Sequence, residues 1–413
     1  MASVSSRLQF ELVKCCRLQQ SLKKCVSRNI SFIQRRRLAG FPNGITTDIC
    51  IRNSSPMCLC GKEILSREVR YFSDSLLSDN IGLGGDNHVL ASPFGLVEPE
   101  LNMLCSNIKQ KLTPQNEELA DITQYYFDGK GKAFRPMLVM LMAKALNAHM
   151  KKSDSLLQSQ REVSMVAEMI HTASLIHDDV IDASDTRRGK PTVDNLWGQR
   201  KAILAGDYIL SVASVAIAKI RKEEVVYILA QVIEDLVRGE FMQLGSKEDE
   251  NARFNHYLKK TFKKTASLIA NTCKAVAVLA ECPDDVVELA YQYGRNIGVA
   301  FQLIDDLLDF TSCDHVMGKP TAADLRLGLA TAPVLFATSH HPELNSMIMR
   351  RFSLEGDVER AREMVANSNG VEQTRMLAEE HSKEAVYQLS HLAPSTYKDA
   401  LNNIATVVLT RTK

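Results

Sequence analysis

Between Pro191 and Pro283 the chain contains no proline, and Ala, Leu, Glu and Lys dominate that stretch. A proline inside a helix removes a hydrogen bond and clashes with the preceding turn, so a long proline-free run of these residues favours long helices. Within it, Val225, Ile228, Leu229, Val232, Leu236 and Phe241 recur at helical spacing, which predicts a helix over 225–244. The texture is the same from about residue 98 onward. Alternating strand patterns bounded by turn residues are essentially absent, and no repeat of solenoid period is present. The fold class is therefore all-α, a helical bundle forming one domain over 98–413.

Of 413 residues, 45% are hydrophobic and 24% charged, enough for a sizeable core. The net charge of +1 gives no support for a nucleic-acid partner. No run of eighteen or more apolar residues is present; the nearest approach, Ile209 to Ile220, is short and interrupted by Ser211, Ser214 and Lys219, so no transmembrane helix is expected. Cys105, Cys273, Cys282 and Cys313 are scattered through the body and read as reduced packing residues. Cys58 and Cys60 lack a second ligand pair at zinc spacing.

The first forty residues carry nine basic side chains against one acid, Glu11, and serine is frequent. An Arg-rich, Ser-rich, acid-poor start predicts a mitochondrial transit peptide over 1–72, with Arg70-Tyr71-Phe72-Ser73 resembling a processing signal. A basic tail touching an anionic surface is the alternative. Residues 73–97, rich in Ser, Asp, Gly and Asn, read as a flexible linker.

Two segments carry the chemistry. Residues 171–182 read HTASLIHDDVID, and on a helix His171, Ser174, Asp178 and Asp182 fall in one stripe, with Asp179 beside it. Residues 298–310 read GVAFQLIDDLLDF, and there Gly298, Gln302, Asp305 and Asp309 share a face, with Asp306 adjacent. A single acidic stripe of this kind is often a solvated face. Two copies in strongly apolar helices are costly to bury unless a cation meets them. Mg²⁺ takes carboxylate oxygens and bridges them to substrate phosphates, so paired rows facing a cavity suit a metal-bound diphosphate.

Direct cations for a diphosphate are also present. DGKGKAFRP places Lys130, Lys132 and Arg135 around glycines, with Pro136 as a helix start. Arg187, Arg188 and Lys190 follow the first acidic segment, FKKTAS supplies Lys263, Lys264 and Thr265, and MGKP supplies Lys319. His171 shares the stripe with Asp178 and Asp182 and reads as functional; His177 is off the stripe and reads as structural.

In order, GKGKAFRP, EMIHTASLIHDDVID, RRGKP, GEFMQL, KKTASL, GVAFQLIDDLLDF and MGKP resemble the blocks of trans-isoprenyl (polyprenyl) diphosphate synthases. The wording is most similar to the catalytic subunits of the animal mitochondrial decaprenyl and solanesyl branch. The resemblance implies an isoprenoid-synthase bundle around a central cavity. It implies sequential condensation of isopentenyl diphosphate onto an allylic diphosphate, giving a long all-trans chain for ubiquinone. It implies that Asp178, Asp179, Asp182, Asp305, Asp306 and Asp309 hold Mg²⁺ on the allylic diphosphate, assisted by Arg187, Lys264, Thr265, Gln302 and Lys319. Lys132, Arg135, His171 and Arg188 would hold isopentenyl diphosphate. A second synthase subunit is the implied protein partner, and the product would pass to the membrane.

Ala173 and Ser174 lie about one turn below Asp178 and are small, whereas short-chain relatives carry aromatic side chains at this level, so the path for a growing chain reads as open. Two other readings fit parts of the pattern. A non-catalytic partner subunit would lose aspartates that this chain keeps. A terpene cyclase would need neither the second acidic motif nor Lys132, Arg135 and His171.

Overall fold

The computed structural model describes residues 92–128, 133–153, 155–187, 189–244, 250–311 and 322–411. The transit-peptide expectation, most of the predicted linker, Lys130, Lys132, Arg188, Cys313 and Lys319 lie outside the described residues. The described residues all belong to one compact unit. The predicted linker ends differently from expectation: Gly95–Val97 form a short 3₁₀ turn, and Val97 is fully buried.

The helices in chain order are α1 (Glu98–Lys111), α2 (Glu117–Gln124), α3 (Phe134–His149), α4 (Gln158–Ile181), α5 (Val193–Trp197), α6 (Gln199–Lys219), α7 (Glu223–Leu244) and α8 (Glu250–Thr261). A π-helical turn over Phe262–Ala266 leads into α9 (Ser267–Leu279) and α10 (Asp284–Thr311). Then follow α11 (Ala323–Arg326), α12 (Ala332–Ala337), α13 (Leu344–Met349), α14 (Asp357–Ala366), α15 (Gly370–Ser390) and α16 (Thr396–Thr410). The one departure from an all-helical body, among the described residues, is a two-residue ladder pairing Thr186–Arg187 with Lys190–Pro191.

Local sequence sets the helix ends. The Asn116 side chain accepts from Leu119 N at 2.9 Å and the Ser395 side chain from Lys398 N at 3.2 Å, satisfying amide donors that the first helical turn leaves open. Pro283 and then Asp284 and Asp285 open α10, where acids complement the helix dipole.

The core centres on α9, whose residues from Ser267 to Val278 are almost all buried. Helices α3, α4, α7 and α10 pack around it. Leu146, Met169, Ile170 and Tyr293 are fully buried, and each apolar side chain of this size contributes about 2 kcal/mol by removal from water. Helix α7 buries Val225, Ile228, Leu229 and Val232, as its spacing predicted, but Phe241 is 72% exposed. Sixteen residues separate Val225 and Phe241, which puts them about 160° apart around the helix axis.

Helix α6 is long and apolar enough to cross a membrane by length and composition. In this fold Ala202, Ala205, Gly206, Ile209 and Ala213 bury one face of it, and it packs against α4. His177 is structural, as read: its Nε2 lies 3.2 Å from Ile203 O and 3.6 Å from Asp207 on α6.

Candidate active site

The C-terminal half of α4 displays the stripe that the spacing predicts. His171, Ser174, Asp178 and Asp182 are all partly exposed, while Ala173 and Ile176 between them are buried. Asp182 caps the helix, its N–H donating to Asp178 O at 2.8 Å. Asp179 behaves differently from its neighbours. It is 1% exposed, and its carboxylate accepts from Arg187 Nε at 2.7 and 2.9 Å and from Tyr126 OH at 3.1 Å. Arg187 Nη2 adds a 2.7 Å contact, so Arg187 is committed to Asp179.

Helix α10 presents the second row in the same way. Gln302, Asp305 and Asp309 are partly exposed, and Leu303, Ile304, Leu307 and Leu308 are buried. Asp306 is 2% exposed, accepting from Tyr257 OH at 2.6 Å and Gln302 Nε2 at 2.8 Å. The sequence treats the three aspartates of each motif alike. In the structure burial sets the middle one apart: its oxygens accept from donors of the protein interior, while Asp305 and Asp309 stay partly exposed, Asp305 accepting from Arg411 and Asp309 from Ala323 N and Asp324 N at 3.0 and 3.2 Å. Gly298, placed on this row by spacing, instead meets the π-helical turn: a Cβ there would lie 2.6 Å from Ala266 Cα.

That turn connects the rows. Lys264 Nζ is 3.7 Å from Asp178 Oδ1 of the first row, and Thr265 Oγ1 donates to Gln302 Oε1 of the second at 2.7 Å. Helix α7 holds the turn in place. Asp235 accepts from Lys263 at 2.5 Å and from Ser267 at 2.6 Å, while Glu240 and Gln243 contact the Lys264 ammonium at 2.7 and 3.3 Å. Gly239 permits the close approach, since a Cβ would lie 3.0 Å from Lys264 N. Burial alone would lower the Lys264 pKa, but Asp178 and Glu240 overcome it and hold the ammonium charged.

At the other end of the α4 stripe, Arg135 Nη1 lies 2.9 Å from His171 Nε2, a contact in which the guanidinium donates and the ring nitrogen accepts. Arg135 follows Ala133, which adopts a left-handed φ of 43° at the start of α3; Pro136 falls in the first turn, where its missing N–H costs nothing. His171 and Arg187 line one cavity with Tyr126 and Ala133. The chain-length pair divides: Ser174 stays on the half-exposed stripe, its hydroxyl donating to His171 O at 2.8 Å, whereas Ala173 has no exposed surface and lies in the core.

Sequence reasoning assigned no role to Tyr126, Asp235, Glu240, Gln243, Tyr257 or Arg411. Of these, Glu240 and Gln243 lie in GEFMQL, a block noticed for its resemblance. Arg411 had no signal. Its Nη2 donates to Asp305 Oδ1 at 2.6 Å and Phe301 O at 2.7 Å, and its guanidinium lies 3.7 Å from the Phe301 ring centroid.

The acids of this site fit a divalent cation. Burial first, then Glu240 and Asp182, push Asp178 up to about 6. Burial and the neighbouring Asp306 and Asp309 push Asp324 up to about 8. Carboxylates raised by burial and mutual repulsion are stabilised by added positive charge. Among the described residues no three acidic, His or Cys groups converge into a ready-made metal cage. Two rows offering one or two carboxylates each suit an ion that is completed by substrate phosphates and water.

A family model described as Polyprenyl synthetase matches residues 116–365. The chain belongs to this family. It is 61% identical over 322 residues to "All trans-polyprenyl-diphosphate synthase PDSS1" of Homo sapiens, covering 78% of this chain and 77% of that protein. It is 41% identical over 376 residues to "Probable hexaprenyl pyrophosphate synthase, mitochondrial" of Neurospora crassa, covering 80% and 84%. It is 43% identical over 343 residues to "Decaprenyl-diphosphate synthase subunit 1" of Schizosaccharomyces pombe, covering 77% and 91%. The solved polyprenyl synthase of Caulobacter crescentus, complexed with calcium and isoprenyl diphosphate, matches with a TM-score of 0.70 at 28% identity, covering 78% of this chain and 97% of that one. Membership makes the chain a prenyltransferase of the trans-polyprenyl diphosphate synthase class with the family's all-helical fold, as the motifs implied.

Proposed function

We propose that this chain condenses isopentenyl diphosphate repeatedly onto an allylic diphosphate, farnesyl or geranylgeranyl, to build the long all-trans polyprenyl tail of ubiquinone in the mitochondrion. The observation that carries the reading is the π-helical turn, which brings Lys264 to the first acidic row and Thr265 to the second. A diphosphate seated between the rows would find acidic residues able to hold divalent cations in each row and the Lys264 ammonium beside the first. Asp178, Asp182, Asp305 and Asp309 are the residues that would hold Mg²⁺. When bound, Mg²⁺ neutralises charge that develops on the departing diphosphate.

The protein's own groups account for the rest. As the allylic C–O bond breaks, Lys264 and Thr265 stabilise the leaving diphosphate, assisted by Gln302 and Lys319. Arg135 and His171, with Lys132 and Arg188, hold the diphosphate of the isopentenyl unit, whose double bond attacks the allylic carbon. The proton lost from the new unit passes to the released diphosphate. Asp179 and Asp306 support the rows by fixing Arg187, Tyr126, Tyr257 and Gln302, consistent with their buried, fully occupied carboxylates.

A second synthase subunit is the proposed partner, docking on α6 and α7. Leu204 and Val215 on α6 and Tyr227, Val237 and Phe241 on α7 are 54–72% exposed, large apolar side chains of the kind that protein interfaces bury. The basic, acid-poor first forty residues support import, with residues 1–72 as the removable address and 73–97 as the segment leading into a synthase domain over 98–413. The deciding assay supplies labelled isopentenyl diphosphate, farnesyl diphosphate and Mg²⁺ to the purified chain, alone and with the second subunit. Product length is read by reversed-phase chromatography. A Mg²⁺-dependent long polyprenyl product is expected; no consumption of isopentenyl diphosphate in either mixture would sink the proposal.

A further inference from the structure

Lys264 has two carboxylates to choose between. Its ammonium sits 2.7 Å from Glu240 Oε2 and 3.7 Å from Asp178 Oδ1, with Gln243 Oε1 at 3.3 Å. All three lie in one partly buried region, where ion pairs are screened much less than at the surface. The lysine stem is flexible and its head is a point charge, so the better-placed acid decides where it rests. Glu240 and Gln243 stand three residues apart on α7, facing the same way, and Asp235, five residues before Glu240, binds Lys263 within the π-helical turn and Ser267 just after it. Helix α7 thus holds the side chains on either side of Lys264 and then supplies the acid that receives the Lys264 ammonium.

Remove the Glu240 charge and Asp178 becomes the nearest anion. A lysine that closes onto Asp178 occupies an oxygen of the first acidic row and neutralises it. We infer that Glu240 is a positioning residue that holds the Lys264 ammonium off Asp178, keeping the first acidic row open for a divalent cation. The inference rests on the reading of that row as a metal–diphosphate site. In this arrangement Glu240 never touches the substrate. It acts through Lys264, keeping that cation available for the leaving diphosphate and 3.7 Å from the Asp178 oxygen instead of in direct contact with it.

The test uses Mn²⁺ as the probe, titrated into the purified full chain and read as free Mn²⁺ by electron paramagnetic resonance. Glu240→Gln keeps the shape and removes the charge, and is expected to weaken Mn²⁺ binding about tenfold, in the range of close charge-pair couplings. Adding Lys264→Ala to that chain should restore binding to the wild-type level or tighter, because the competing cation is gone. A merely structural defect at Glu240 would not be repaired by a second deletion. Lys264→Ala alone provides an arm that leaves Glu240 intact, and because Glu240 already holds the lysine aside it should bind Mn²⁺ at least as tightly as the wild type. Unchanged Mn²⁺ binding in Glu240→Gln, no recovery in the double variant, or weaker binding in Lys264→Ala would overturn the inference and leave the metal site standing. A wild-type chain that binds no Mn²⁺ would overturn the metal reading and this inference together.

Discussion

Asp178 and Asp179 are adjacent in sequence, yet only Asp178 keeps a partly exposed carboxylate, and Asp179 is buried. The 3.6-residue period was enough to find the stripe of His171, Ser174, Asp178 and Asp182, because that stripe is local geometry. It could not show that Asp179 is satisfied by Tyr126 or Asp306 by Tyr257, partners 53 and 49 residues away. The split has a measurable consequence. Asp178→Ala and Asp305→Ala should fold normally and lose about a thousandfold or more in rate, as charge on the departing diphosphate goes unmet. Asp306→Asn should instead lower thermal stability, because one of the Tyr257 and Gln302 donors loses its acceptor at a cost of about 1–3 kcal/mol. Comparing melting temperature and kcat across the three variants separates the roles; equal stability losses in all three would contradict it. Burial also revises the chain-length test. A ring at Ala173 would overpack the core, whereas Ser174→Phe projects from the half-exposed stripe. Ser174→Phe should keep consuming isopentenyl diphosphate and release shorter products, read by chromatography. A full-length product distribution would show that the chain does not pass this face.

At the scale of elements, the site is a π-helical turn held between α7 and α10. Sequence reading found the turn's residues, Lys263, Lys264 and Thr265, as a basic cluster, and found Gly298 as part of a row. It missed how they fit, because a glycine's role in close approach depends on which helix comes against it. A Cβ at Gly298 would lie 2.6 Å from Ala266 Cα, so Gly298→Ala must push the turn away from α10. Alanine's better helix propensity, about 1 kcal/mol, is outweighed by overpacking of about 1–3 kcal/mol. Gly294→Ala provides the control: its Cβ would lie 2.8 Å from Ala270 Cα, one turn further from the acidic row. Both variants should melt at lower temperature, but Gly298→Ala should show the larger fall in kcat because it displaces Lys264 and Thr265. Equal kcat in the two would mean that the turn tolerates the shift.

For the whole molecule, the long α10 carries the second acidic row and packs along α15. Where they meet, His381 Nδ1 donates to Asn296 Oδ1 at 2.7 Å, and Asn296 in turn donates to Gln292 O at 2.8 Å. Nothing in the sequence marked His381, since a lone histidine among polar helix residues carries no pattern. Burial first, then the charge of Arg295, push its pKa down from 6.5 to about 4. The sign of the pH effect follows from which state takes the proton. Above about 6.5 His381 is neutral both folded and unfolded and contributes nothing pH-dependent. As pH falls from 6.5 towards 4 the unfolded chain binds a proton that the folded chain refuses, so stability is lost. One proton corresponds to about 1.4 kcal/mol per pH unit, on the order of 3 kcal/mol over the window. His381→Gln retains a donor for Asn296 and cannot titrate. Denaturant unfolding at a series of pH values should therefore show the wild type losing stability faster than His381→Gln between pH 6.5 and 4, with parallel curves above 7. Parallel curves throughout would mean that the α10–α15 contact opens enough for His381 to be protonated in place.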